Sequence, residues 1–190
     1  EVYHEKDLVQ IKKSMEKYLN DSNVEALAFS FNHFYGNANT LLDSPGWYRS
    51  EARIIKNSIR SYAPDGLFWL VLDSNKKGRY PRAKIIGATC YHYGWVRSEN
   101  QMNLKSNKVQ KYWGGEPLLI DYSQMDKSIL KEFKGLHPEI IKDWLPNEKG
   151  LFKTSPSYKL TRKQKKHRLM IKFENFLGLN LSKKHYKLLK

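Results

Sequence analysis

The chain has 190 residues, 40% of them hydrophobic and 13% aromatic, which is enough to bury one real core and too apolar for a disordered protein. Its single cysteine, Cys90, excludes an intramolecular disulfide and any cysteine-rich zinc or iron-sulfur site; its expected place is that of a small buried hydrophobe. The formal net charge of +15 is unevenly placed, since residues 151–190 carry twelve Lys or Arg against one carboxylate, Glu174, while residues 1–150 carry twenty-two against eighteen.

Residues 5–19 place Leu8, Ile11, Met15, Tyr18 and Leu19 at helical spacing and predict an amphipathic helix closed by Asn20 to Asn23. VEALAFSFNHF (24–34) alternates as a strand, and YGNANTLLDSPGW (35–47) is turn-rich and reads as a loop. EARIIKNSIRSY after Ser50 carries Ile54, Ile55 and Ile59 and predicts a second helix ending before Pro64. GLFWLVLD (66–73) and AKIIGATCYHYGWV (83–96) are apolar, β-branched and aromatic, and predict two strands at the centre of a sheet, joined by a basic connection.

Residues 97–112 are polar and are expected to form an exposed loop. EPLLIDYS (116–123) predicts a further strand, followed by a helix from Ser123 or Asp126 to Phe133 and a short helix over 137–145. After Gly150 the chain is extended until Thr161, which can cap a helix running to Leu177 and stopped by Gly178. Leu169, Phe173 and Phe176 fall on one side of that helix and are expected to pack it; Ser182 is placed to cap a last turn. The expected fold is α/β or α+β, a central mixed or antiparallel sheet flanked by helices over residues 1–150, with a basic helical C-terminal extension over 151–190.

TRKQKKHRLMIKF (161–173) holds seven Lys, Arg or His side chains and no carboxylate. A solvated helix face normally mixes signs so that i,i+4 pairs relieve repulsion, and here no partners are supplied. An external polyanion relieves it instead, so nucleic acid, DNA or RNA, is the expected partner. Arg162, Lys163, Lys165, Lys166, Arg168 and Lys172, with Lys183 and Lys184 beyond, are the candidate phosphate contacts. The alternatives are a merely solubilising face and an anionic membrane surface or acidic protein; the membrane is disfavoured because the apolar side of the helix is assigned to packing. FENFLGLNLSKKHYKLL also reads as a helix-turn-helix with Gly178 at the turn and Ser182 capping the second helix. Tyr80, Tyr112 and Trp113 stand among basic residues where bases can stack.

Among reactions, the histidines His4, His33, His92, His137, His167 and His185 form no HExxH pattern, and no phosphate-cradling glycine loop or GxSxG elbow is present. Glu51, Asp73, Glu116 and Asp121 are candidate acids and bases for phosphodiester chemistry; Asp73 ends one predicted strand and Asp121 lies in another, where carboxylates can share a divalent metal beside a Lys such as Lys84, although a salt bridge to one of the many basic side chains is the plainer role of each. No apolar run reaches the roughly 18–20 residues that cross a bilayer, and EVYHEKDLVQ does not resemble a secretory signal. An intracellular protein, cytoplasmic or nucleoid-associated and without a membrane partner, is expected.

GLF (66–68), IIG (85–87), Arg97 and EIIKDWLPN (139–147) together resemble the GIY-YIG endonucleases, over about 80 residues. The resemblance implies metal-dependent phosphodiester cleavage, with Arg97 stabilising the developing charge and Glu139 or Glu148 holding Mg²⁺. Phe68 and Ile85 stand where that family carries its tyrosines, so the base falls to Tyr80, Tyr91 or Tyr93. RSEARIIKNSIRSY, LFWLVLD and AKIIGATCYHYGWV, with Tyr91, Gly94 and Trp95, are also similar to the GNAT acyltransferases, which implies acyl transfer from a coenzyme A thioester. Gly114 and Gly115 would then have to replace that family's pyrophosphate loop. The leading expectation is a nucleic-acid-binding, Mg²⁺-dependent endonuclease; the alternatives are a GNAT-like acyltransferase, including one that acts on nucleic acid, and a non-catalytic nucleic-acid-binding module.

Overall fold

In chain order the elements are β1 (Val2–Tyr3), α1 (Glu5–Tyr18), β2 (Ala26–Tyr35), β3 (Asn37–Leu42), β4 (Ser50–Ile55), β5 (Ser61–Tyr62), β6 (Leu70–Leu72) and β7 (Gly78–Arg79). They continue with β8 (Arg82–Trp95), α2 (Glu99–Trp113), β9 (Leu130–Glu132), α3 (Arg162–Leu177) and β10 (Lys187–Leu188), with 3-10 turns at Lys127–Ile129 and Glu139–Trp144. The computed structural model describes residues 1–64, 66–75, 77–114, 116, 119–147 and 150–189, the side chains of Tyr112 and Trp113 excepted. The fold is mixed α/β: one sheet runs β1-β8-β2-β3-β9 with β4 also on β2 and β10 also on β8, and a small antiparallel sheet runs β5-β6-β7. The chain divides into two compact units.

The unit formed by Val2–Asn32, Pro45–Tyr91 and Ser182–Lys190 is cored by Ile11, Val24, Leu27, Phe29, Phe31, Ile86, Ala88 and Cys90. Helix α1 forms where the sequence places it, but only Ile11 and Ser14 of it are buried; Leu8, Met15 and Leu19 are exposed. β4 corrects the helix expected over 51–62. Its β-branched pair Ile54-Ile55 favours a pleated surface, and Ser50–Ile55 pairs antiparallel with Ala26–Ser30. β6 pairs with β5 and β7 rather than joining β8 at a sheet centre. The C-terminal residues form the parallel pair Lys187↔Arg82 and Leu188↔Ala83 instead of a capped turn or a second helix of a helix-turn-helix.

In the same unit Glu25 is buried and accepts two bonds of 2.7 Å from the Arg79 guanidinium and one of 2.8 Å from the Arg82 amide. Burial alone would raise this carboxyl; the Arg79 and Arg82 bonds outweigh it and hold it at about 2.

The second unit comprises Glu1, His33–Ser44 and His92–Leu181. β3 corrects the loop expected after Tyr35. The polar start NAN conceals a hairpin turned at Gly36, whose φ of 71° and whose Phe152 ring, 2.4 Å from the place of a Cβ, leave no room for a side chain. α2 corrects the exposed loop expected over 97–112: Ser98 and Gln101 form a reciprocal capping box, so a polar sequence with few breakers starts a helix. The helix expected from Ser123 to Phe133 is a 3-10 turn followed by β9, which pairs with β3. No strand forms among the described residues of 116–123, and Pro117 and Leu118 of that segment lie outside them.

Candidate nucleic-acid interface

The sequence of α3 sets its limits. Thr161 Oγ1 accepts the Gln164 amide at 3.2 Å while Gln164 Oε1 accepts the Thr161 amide at 2.9 Å, and Gly178 ends the helix with φ 63°. Gln164 also accepts from the Tyr158 hydroxyl at 2.9 Å, and buried Glu174 accepts the Leu181 amide at 2.6 Å.

Arg168 supplies the main polar anchor. Its Nε and NH2 donate to the two carboxylate oxygens of buried Asp126, each at 2.7 Å, and Asp126 also caps the Lys127–Ile129 turn through Ser128. The Arg168 bonds first, then those from Ser128, hold the Asp126 carboxyl down at about 2 against the opposing effect of burial. Because the folded value lies below the ordinary 3.8, this pair stabilises the fold above about pH 4, and its contribution is lost as pH falls through about 2. Arg168→Gln is expected to move the Asp126 midpoint, followed by carboxyl carbon NMR, back towards 3.8. An unmoved midpoint would show that the guanidinium does not hold the carboxylate.

On a helix of about 3.6 residues per turn, Gln164, His167, Ile171 and Glu174 share the face turned inward, and all four are buried or half-buried. Arg162, Lys165, Lys166, Leu169, Lys172, Phe173, Phe176 and Leu177 share the opposite face, and every one is exposed. This corrects the expectation that Leu169, Phe173 and Phe176 pack the helix: they are 55%, 51% and 82% exposed. The apolar side of α3 is therefore not withheld from a membrane surface by packing. The inward face is instead closed by polar contacts, which periodicity of apolar residues does not report.

Among the described residues no carboxylate pairs with Arg162, Lys163, Lys165, Lys166 or Lys172. The field of this unneutralised set reaches His167, whose imidazole is held below its ordinary value by burial and then by Lys163 and Lys166. Lys183 is exposed and Lys184 half-buried, both in the unit that contains β10.

The residues expected to cut a phosphodiester are placed as follows. Arg97 is exposed at the end of β8, just before the Ser98 cap. Tyr91 is buried opposite Val2, and burial pushes its hydroxyl up. Tyr93 is half-buried, stacked on Phe34 at 4.6 Å, with its hydroxyl 2.8 Å from His137 Nδ1. Glu139 is exposed and paired with Lys142, and Glu148 lies outside the described residues. GLF lies in bends and IIG within β8. Gly115 and the side chains of Tyr112 and Trp113 lie outside what is described. Asp73 pairs with Arg79, and Asp121 is held by Ser123 and Gln124. Among the described residues, no three His, Cys, Asp or Glu side chains gather as a metal site would require.

Two histidine arrangements escaped the sequence reading. His185 Nδ1 lies 2.5 Å from Oε2 of fully buried Glu51, with its ring stacked 4.4 Å from Phe68. His33 and His92 meet Nδ1 to Nδ1 at 3.0 Å. Neither has a signal in the sequence, because the partners are 134 and 59 residues apart. Burial, then the neighbouring His33, lowers His92 to about 4. An imidazole lowered from an ordinary value near 6.5 keeps its full contribution above about pH 6.5 and loses it as pH falls through about 4. Side-chain nitrogen NMR should therefore show His92 titrating near 4; a midpoint near 6.5 would contradict the contact.

A mixed α/β protein that turns a cationic, aromatic helix face to solvent is the class these features define. Compared with known proteins, the chain matches no protein-family model, no curated protein and no solved structure. No helix among the described residues is long and apolar enough to cross a membrane.

Proposed function

We propose that this protein binds nucleic acid through its phosphate backbone, with α3 as the grip. The observation that carries the reading is the set Arg162, Lys163, Lys165, Lys166 and Lys172, exposed on an anchored helix with no carboxylate partner among the described residues. A helix held this way keeps its repulsion until an external polyanion takes up the charge, and counterion release then favours binding with a steep salt dependence. Arg168 belongs to the anchor: its guanidinium is already bonded to Asp126 on both oxygens.

The test is a titration of the full chain against labelled DNA and RNA, single- and double-stranded, at several salt concentrations. Affinity should fall with salt with a log–log slope of about −3 or steeper, as four or more phosphate contacts give. Failure to bind any of them at low salt would overturn the reading. Repeating the incubation with Mg²⁺ and resolving the products reads cleavage in the same samples. No catalytic step is assigned: Glu139 is paired with Lys142, and Glu148 lies outside the described residues.

A further inference from the structure

The exposed face of α3 holds more than charge. Phe173 and Phe176 are 51% and 82% exposed, one helical turn apart, and Lys172 lies beside them on that face, with Lys166, Lys165 and Arg162 about two to three turns from Phe173 towards the N-terminus. We infer that the polynucleotide taken by this face is single-stranded, with bases stacking on Phe173 and Phe176 while the four cations hold flanking phosphates. This rests on the nucleic-acid reading above and narrows it to a substrate class.

The physical reason lies in what each polymer offers. In a duplex the base faces are covered by their neighbours, so an exposed phenyl ring finds only sugar and phosphate. A single strand can present a base face to each ring, and such stacking tolerates any sequence because every base has a π-face. Side chains three apart on a helix sit about 5–6 Å from each other at Cβ, wider than the roughly 3.4 Å rise of stacked bases in duplex DNA. Successive bases of an opened strand match that spacing.

An anionic lipid surface is the competing occupant, since Leu169, Leu177, Leu179 and Leu181 are exposed as well. A helix lying in a lipid interface separates its apolar face from its charges. In α3 the two are mixed: Arg162 and Lys166 lie in the same angular sector as Leu169 and Phe173, and Lys165 is aligned with Phe176.

The experiment is fluorescence anisotropy of the full chain with a 15-mer of thymidylate, a 15-mer of uridylate and a 15-base-pair duplex at equal salt, together with sedimentation on phosphatidylserine-rich vesicles. It is repeated with Phe173→Ala/Phe176→Ala and with Phe173→Leu/Phe176→Leu, whose folding is checked by circular dichroism. Both single strands should bind more tightly than the duplex. Each double variant should lose about 30-fold or more of single-strand affinity, as two stacked bases imply, with duplex affinity and salt slope unchanged. Preference for the thymidylate or the uridylate strand separates DNA from RNA, and either satisfies the inference.

Equal affinity for strand and duplex, unaltered in both variants, would overturn this inference and leave the phosphate grip intact. Binding of neither polymer would overturn both. Vesicle binding that survives Phe→Leu but not Phe→Ala, without binding of polynucleotide, would identify lipid as the occupant instead.

Discussion

Replacing Arg162, Lys165, Lys166 and Lys172 together by Gln is expected to lower single-strand affinity by about 10²–10³-fold at 0.1 M salt and to reduce the log–log salt slope by about 3. Each phosphate contact on a single strand contributes about 0.7 to that slope, so four lost contacts account for the change. Gln keeps high helix propensity, and none of the four side chains is bonded to the rest of the protein among the described residues, so the fold should persist. Lys165→Gln alone should lower the slope by about 0.7; an unchanged slope would show that Lys165 does not reach the polymer.

The second large effect concerns stability. Glu51 is fully buried on β4; Oε1 accepts the Ala52 amide at 2.9 Å and Oε2 faces His185 Nδ1 at 2.5 Å. His185 sits among Phe68, Tyr80 and Tyr48, and the next residue, Tyr186, bonds its hydroxyl to Ser50 at 2.7 Å. These contacts fasten the C-terminal segment to β4 as β10 fastens it to β8. Glu51→Ala should destabilise the protein by about 1–3 kcal/mol, the cost of leaving a buried polar partner unsatisfied. Glu51→Gln, which keeps one oxygen to accept the Ala52 amide and turns an NH2 donor towards His185 Nδ1, should cost less. Urea denaturation read at several wavelengths checks this; a midpoint unchanged by Glu51→Ala would show that the pair holds nothing together.

The parts of the fold legible in the sequence are those whose signals are local. α3 shows this best: the Thr161 cap and the Gly178 stop bound the helix's own eighteen-residue frame, and both are observed, with Gln164 completing a capping box. α1 and the long strands β2 and β8 follow from periodicity and β-branched content in the same way. β4 was concealed because Ile54 and Ile55 fit either period, and only pairing with β2 decides between them. α2 was concealed because its residues are polar, although Ser98 and Gln101 had the spacing of a capping box.

The candidate site divides along the same line. Its charge was visible as a run of cations, but which side of α3 faces outward depends on Asp126 meeting Arg168 across 42 residues. Apolar residues point to the packed side because burial is their commoner fate; here polar anchors take that side and Phe173 and Phe176 remain in solvent. The Glu51 and His185 pairing likewise joins residues 134 apart, beyond what any spacing rule addresses.

The most direct single measurement is amide chemical-shift mapping of the full chain with a 15-mer of thymidylate at low salt. The account predicts shifts concentrated at 162, 165, 166, 169, 172, 173 and 176, with the inward positions 164, 167, 171 and 174 less affected. Shifts confined to residues outside 161–181, or spread without regard to the faces of α3, would contradict it.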